Sequence, residues 1–130
     1  MSNKIVKAQK GSEVHKDFIG TYLSNIRNEA VLKYVRAPLL DIACGENLLA
    51  KRVKGGFGSD IIDYGDADLI VDDFSSFPLS SNLFNTVTII ASINYFKDPQ
   101  SVLIEVERLL KRRGILILTM SNSKVMNLWH

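Results

Sequence analysis

The sequence predicts an α/β fold, a mainly parallel sheet of about five strands with helices on both faces. Two observations carry this expectation. Short apolar runs alternate with stretches whose apolar residues recur at helical spacing, and such alternation implies parallel pairing through right-handed crossovers. The run from Val87 to Ile93 is almost continuously apolar and rich in β-branched residues, which marks a strand covered on both faces.

The elements follow in order. Residues 1–11 are polar and basic and form a leader ending at Gly11. Ser12 is a candidate N-cap for a helix over residues 12–37. Phe18, Ile19, Tyr22, Leu23, Ile26, Ala30, Val31 and Tyr34 give that helix one apolar stripe to bury, and Pro38 stops it. Leu39 to Ile42 is a short buried strand. A helix from Glu46 or Asn47 through Val53 follows, closed by Gly55-Gly56. Phe57 to Ile62 is the second strand and Leu69 to Val71 the third. The few residues between them allow a tight loop but no crossover helix. After a polar loop from Ser75 to Asn82 comes the fourth strand, Val87 to Ile93. Asp98 caps the next helix and Pro99 occupies its first position. Val102, Leu103, Val106, Leu109 and Leu110 form its inner face. Lys111-Arg112-Arg113 suits the negative end of its dipole, and Gly114 breaks the chain before the fifth strand, Ile115 to Leu118.

Composition bounds the function. The chain has 130 residues, 46% hydrophobic and 23% charged, ordinary values for one globular domain. A net charge of +2 argues neither for nucleic acid nor for a membrane surface. A single cysteine, Cys44, excludes an internal disulfide and suits a reducing compartment, so the cytoplasm is the expected location. No stretch approaches the roughly 20 apolar residues of a membrane span. His15 and His130 pair with nothing that would make a metal site.

The chemistry concentrates in Leu39-Leu40-Asp41-Ile42-Ala43-Cys44-Gly45-Glu46-Asn47, an apolar strand entering a small-residue turn and then a helix. Ala43 and Gly45 allow a close approach of backbone to ligand, and the helix start beyond offers free N–H groups. Ligands of doubly wound sheets sit outside such carboxyl ends. The segment resembles motif I of class I S-adenosylmethionine-dependent methyltransferases, a strand ending in Asp-x-Gly-x-Gly-x-Gly. Asp41, Ala43, Gly45 and Asn47 take the marked places, with alanine and asparagine replacing two glycines. A dinucleotide-binding Gly-x-Gly-x-x-Gly is poorly matched by Ala43, Gly45 and Leu48.

Further motifs extend the resemblance from Leu39 to Asn122: Gly58-Ser59-Asp60-Ile61, Asp73-Phe74, Phe77-Pro78-Leu79, Phe84-Asn85, Asp98-Pro99 and Arg108-Leu109-Leu110-Lys111. It is nearest to the small-molecule branch called methyltransferase type 11. The resemblance implies a Rossmann-like three-layer sandwich with strand order 3-2-1-4-5. It implies S-adenosylmethionine as cofactor, with S-adenosylhomocysteine as product, and a methyltransferase acting on a small-molecule acceptor. The implied cofactor residues are Asp41, Ala43, Cys44, Gly45, Asn47, Asp60, Ile61, Asp73 and Phe74. Asp60 would accept from both ribose hydroxyls, Asp73 would meet the adenine amino group, and Phe74 would pack on the ring. Asn94 and Tyr95 lie on the acceptor side. No general base or metal ligand is implied, and neither nucleic acid nor membrane is an expected partner.

Two other functions compete. One is a truncated or degenerate cofactor-binding module without catalysis of its own, and the other is an NAD-binding oxidoreductase domain. Methyltransferases of this kind carry two more strands after the fifth, and residues 121–130 are too few for them. The expectation is a fragment or shortened chain with little activity alone. Its fifth strand would form an open edge, suited to homodimer formation. Val125, Met126, Leu128 and Trp129 in the tail would pack against something.

Overall fold

The computed structural model describes residues 18–120, with side chains from residue 22. The expected leader, residues 12–17 of the expected first helix and the tail of residues 121–130 lie outside the described residues. The described elements are α1 (Phe18–Leu32), β1 (Leu39–Ile42), α2 (Leu48–Lys51), β2 (Phe57–Asp60), β3 (Leu69–Ile70), β4 (Phe84–Ile90), a 3-10 turn (Ile93–Tyr95), α3 (Pro99–Leu109) and β5 (Leu110–Thr119). The strands form one sheet in the order β3-β2-β1-β4-β5, parallel throughout, as the sequence predicts. Leu40 pairs with Phe57 on one side and Val87 on the other, which places β1 at the centre. Leu39, Leu40, Ile42, Val87 and Ile89 are wholly buried, and Val102, Val106 and Leu109 of α3 pack into the same core. No helix among the described residues is long and apolar enough to cross a membrane.

The strands and helices start and stop where side chains capture the backbone. The second strand ends at Asp60, two residues earlier than expected, because the Asp60 carboxylate binds the N–H groups of Ile61 and Ile62 and withdraws them from the ladder. The β2–β3 connection is tight, without a helix. The fourth strand starts at Phe84 and ends at Ile90. Ala91 is left-handed (φ 54°) and turns the chain away, so Ile93 falls in the 3-10 turn. Asp98 caps α3 as expected, accepting from the Ser101 N–H, with Pro99 in the first turn.

The first helix ends at Leu32 rather than at residue 37. Arg36 is drawn into the amino end of the sheet: its N–H donates to Thr86 Oγ1 at 2.9 Å, and that hydroxyl donates to the Arg36 carbonyl at 2.8 Å. Among the residues whose side chains are described, the stripe expected to be buried is largely open, with Tyr22, Leu23, Ile26 and Tyr34 half or more exposed and Val31 alone buried. No described element packs along it. The second helix is a single turn, and Arg52, Val53 and Gly56 continue it by i to i−3 bonds.

Lys111-Arg112-Arg113 does not sit on a helix end. Leu110 is already extended, and Phe84 pairs with Leu110 while Thr86 pairs with Ile115, so residues 111–114 bulge from the edge strand. Arg113 is left-handed (φ 69°), and its carbonyl accepts from the Arg36 guanidinium at 3.1 Å. The inner face of α3 departs from expectation too: Leu103 is 37% exposed, and Glu105 is buried in its place.

Glu105 explains why a polar residue occupies that face. Its Oε2 accepts the Phe77 N–H at 2.6 Å, and both its oxygens accept from the Arg108 guanidinium. Arg108 also donates to the carbonyls of Phe77 and Leu79 and to Ser81 Oγ. The loop after β3 is thereby fastened to α3, which seats Phe77 and Phe74 in the core. Hydrogen bonding to Arg108 holds the Glu105 carboxyl below its ordinary pKa. A depressed acid contributes stability above its unfolded pKa of about 4.3, and that stability is lost as pH falls through the folded value. Replacing Glu105 by Ala strands Arg108 and the Phe77 N–H and is expected to cost about 2–4 kcal/mol, read from urea unfolding at pH 7. The deficit of Glu105→Gln against wild type should shrink below about pH 4, and a deficit independent of pH would show that the ion pair is not the fastening.

Candidate functional site

At the carboxyl end of the sheet lies a cleft of about 730 Å³. Its floor is the turn leaving β1, where Ala43 (φ 61°), Gly45 (φ 57°) and Asn47 (φ 60°) are all left-handed. These are the three positions at which the resembled motif carries glycine, and the geometry gives the reason. A zigzag of alternate left-handed residues is costly for anything but glycine, about 1–2 kcal/mol each for other residues and less for asparagine. At Gly45 an added Cβ would meet no atom within 4 Å, so the space above it is open cleft.

Asp60 closes the turn from the side. It is 6% exposed; Oδ2 accepts the Gly45 N–H at 2.8 Å, and Oδ1 accepts Ile61 and Ile62 N–H at 2.8 and 3.2 Å. With two lone pairs on each oxygen, one acceptor direction on Oδ2 is left. As placed, Asp60 can therefore take one hydroxyl; accepting two requires release of the Gly45 N–H. Asp60 and its exposed neighbour Ile61 both line the cleft.

Asn47 points elsewhere. It is 1% exposed and does not line the cleft. Its Nδ2 donates to the Asp66 carbonyl and to Asp68 Oδ2, both at 3.0 Å. Asp68 Oδ2 also accepts the Gly58 N–H at 2.8 Å, and a Cβ at Gly58 would overlap the Asn47 amide. The side chain that replaces a motif glycine thus ties α2 to the β2–β3 loop, and Gly58 makes room for it. Cys44 also stays out of the cleft: its N–H donates to the Ser59 carbonyl, and burial, then Asp41 and Asp60, push its thiol up to about 12, which removes it as a nucleophile.

Asp41 lies behind the floor, 4% exposed, and its Oδ1 accepts from Thr88 Oγ1 at 2.7 Å. Burial raises its pKa to about 7; Asp60 adds to the rise, while the Thr88 hydroxyl and Arg27 oppose it. The opposite wall carries Asp72, Asp73, Phe74 and Ser75, then Ser92, Tyr95, Phe96 and Lys97. Asp73 Oδ1 accepts the Ser75 N–H, leaving its other oxygen open. Phe74 is buried against Phe77 and Phe96, at centroid distances of 6.2 and 5.4 Å. Tyr95 stands 76% exposed at the rim, whereas Asn94 is exposed but outside the lining. No metal-binding cluster occurs among the described residues. Sequence reasoning missed Thr88, Asp68 and Ser92. Only Thr88 left a signal, a threonine inside a run otherwise written for a buried strand.

A raised carboxyl favours the folded state in acid, and that contribution is lost as pH climbs from about 4 through about 7. Asp41→Asn keeps an acceptor for Thr88 without the ionisation. Its Tm is expected to rise above that of wild type as pH goes from about 5 to about 8.5, followed by calorimetry. Parallel pH profiles for the two proteins would show that Asp41 is ionised at little cost.

A family profile described as a methyltransferase domain matches residues 40–118, more than half of the chain. No curated protein matches the sequence significantly. Solved structures do. The PH0226 protein of Pyrococcus horikoshii is 25% identical, with a TM-score of 0.66 over 83% of this chain and 58% of its own. A Methanococcus maripaludis protein assigned as an S-adenosyl-L-methionine-dependent methyltransferase is 14% identical, with a TM-score of 0.68 over 95% of this chain and 68% of that one. A Thermotoga maritima methyltransferase, described as a possible histamine N-methyltransferase, is 21% identical, with a TM-score of 0.62 over 70% and 48%. The last two likenesses speak to the fold alone. The chain spans about half the length of the first such structures, between 43% and 50%. With the matched segment running from β1 into β5, and with the sheet order and the turn after β1 both in place, the chain belongs to the methyltransferase-domain family, on the Rossmann-like fold of class I S-adenosylmethionine-dependent enzymes.

Proposed function

We propose that this chain binds S-adenosylmethionine in the cleft above Gly45 and takes part in methyl transfer to a small-molecule acceptor. The observation that carries the reading is the left-handed turn at residues 43–47, open above Gly45 and flanked by the Asp60 carboxylate. The donor set fits such a cofactor. Asp60 Oδ2 offers one acceptor to a ribose hydroxyl, Asp73 offers a free carboxylate oxygen at the adenine end, and Ile61 and Phe74 supply apolar walls.

When bound, S-adenosylmethionine supplies a methyl group already made electrophilic by its sulfonium. The chain's own residues then have to orient and exclude water, and no general base is required of them. Ser92 and Tyr95 form the wall from which an acceptor would be held, with Asn94 beside them. A second reading, a binding module without independent catalysis, is favoured by one observation: Asp60 already spends three of its four acceptor positions on backbone N–H groups. The fifth strand is one of the two outer strands among the described residues and suits pairing with a second copy.

Titration calorimetry with S-adenosylmethionine, S-adenosylhomocysteine and NAD tests the reading. The first two are expected to bind and NAD is not; tighter binding of NAD would replace it with an oxidoreductase function. Gly45→Val places a side chain in open cleft space and should abolish S-adenosylhomocysteine binding. The folded state should survive at a cost of about 1–2 kcal/mol for the left-handed residue. Normal affinity in a folded Gly45→Val protein would reduce the turn to a purely structural role. Asp60→Ala should weaken binding at least tenfold, the equivalent of one charge-assisted hydrogen bond.

A further inference from the structure

A second recess, of about 590 Å³, lies at the opposite, amino end of the sheet, between α3 and the start of β5. It shares no lining residue with the cleft at the carboxyl end. Leu103, Val106, Leu110 and Leu116 give it apolar walls, and Lys111 and Arg112 also line it. Those two cations belong to the bulge of residues 111–114, which is held in one shape. The Arg36 guanidinium donates to the Arg113 carbonyl at 3.1 Å, and an added Cβ at Gly114 would lie 2.8 Å from the Lys111 carbonyl oxygen. Arg36, Lys111, Arg112 and Arg113 are all exposed, and none enters an ion pair among the described residues. Glu107 is the one acid in the lining.

Cations crowded beside an apolar recess repel one another, and an anionic partner relieves that repulsion. Shape and charge together define the partner. Residues 111–114 break the regular ladder of β5, so an added strand finds no continuous edge here. Docking then goes through side chains, as for a helix laid in a groove. A nucleic acid fits less well, because no aromatic side chain lines the recess to stack on a base and evenly spaced phosphates cannot avoid Glu107. A lipid surface takes up projecting apolar residues, and these are recessed. Residues 121–130 of the chain itself contain Lys124 and no acid. Its aspartate-rich stretch, Asp60 to Asp73, contains no helix, so a second copy offers no acidic helix from there.

We propose that the recess between α3 and β5 is a docking site for an acidic amphipathic helix of a partner protein. Apolar side chains on one face of that helix fill the space between Leu103 and Leu116. Carboxylates flanking that face pair with Lys111, Arg112, Arg113 and Arg36, spaced so as to clear Glu107. The site is independent of the cofactor cleft, on the other end of the sheet.

The test is fluorescence anisotropy with a labelled peptide of glutamates carrying leucines at helical three- and four-residue spacing, against a scrambled peptide of the same composition. The patterned peptide is expected to bind at least tenfold tighter than the scrambled one, and more weakly as sodium chloride is raised. Arg112→Glu and Leu103→Asp, both at exposed positions, should each weaken it at least tenfold. Lys54→Glu, an equal change of charge two strands away from the recess, should leave it within twofold. Unchanged thermal unfolding shows that each variant is folded. No binding, equal binding of the two peptides, or equal losses in Arg112→Glu and Lys54→Glu overturn the proposal. Tighter binding of polyuridylate replaces it with a nucleic-acid surface, and capture by phosphatidylserine vesicles with a lipid surface. A dimer in sedimentation that Leu103→Asp dissociates assigns the recess to a second copy instead.

Discussion

The Asp60 carboxylate is the group on which the site depends. One oxygen holds the Gly45 N–H and the other holds those of Ile61 and Ile62, so a single side chain joins the ends of two neighbouring parallel strands. Because these amides leave the ladder, β2 stops and the chain turns outward to form a wall of the cleft. Because Gly45 is held, the left-handed zigzag after β1 keeps its shape, although two of its three residues are not glycine. Under the proposed function, a nucleoside would engage the same carboxylate that builds the floor, and binding and architecture would then compete for its lone pairs.

A second tie runs behind the first. Asn47, Asp66 and Asp68 fasten α2 to the β2–β3 loop, and Gly58 is small because the Asn47 amide lies over it. The exchange of glycine for asparagine in the motif therefore substitutes a hydrogen-bonded anchor for backbone freedom, with the amide's bonds offsetting its left-handed angles. On the far wall Glu105 and Arg108 do comparable work for the loop that carries Phe77, keeping the aromatic cluster of Phe74, Phe77 and Phe96 in place. The cleft is bounded by loops, and those after β1 and β3 are pinned by the buried carboxylates of Asp60 and Glu105.

Electrostatics divides the aspartates by environment. Asp41 sits behind the floor with one hydroxyl partner, and burial moves its ionisation into the neutral range. Asp60 is comparably buried but meets three N–H donors. Asp72 and Asp73 face solvent at the rim. The same residue type thus meets three environments, a buried one with a single hydroxyl partner, a buried one with three N–H donors, and open solvent.

The sequence by itself determined the sheet, its order and the place of the turn, because those follow from apolar runs, glycine and proline punctuation and a motif confined to neighbouring residues. The placement of Ala43, Gly45 and Asp60 around the cleft was legible for the same reason, whereas Asp41 lies behind its floor. What tertiary structure decided were matters of partnership between segments far apart in sequence. Asn47 became an anchor through Asp66 and Asp68, and Asp60 became the tie that holds the Gly45 N–H. Lys111-Arg112-Arg113 moved from a helix end to an edge bulge because Thr86 pairs with Ile115. The stripe on α1 was written for burial, yet among the described residues nothing covers it. Periodicity reports that a helix face is apolar; only the packed chain reveals whether another surface is there to receive it.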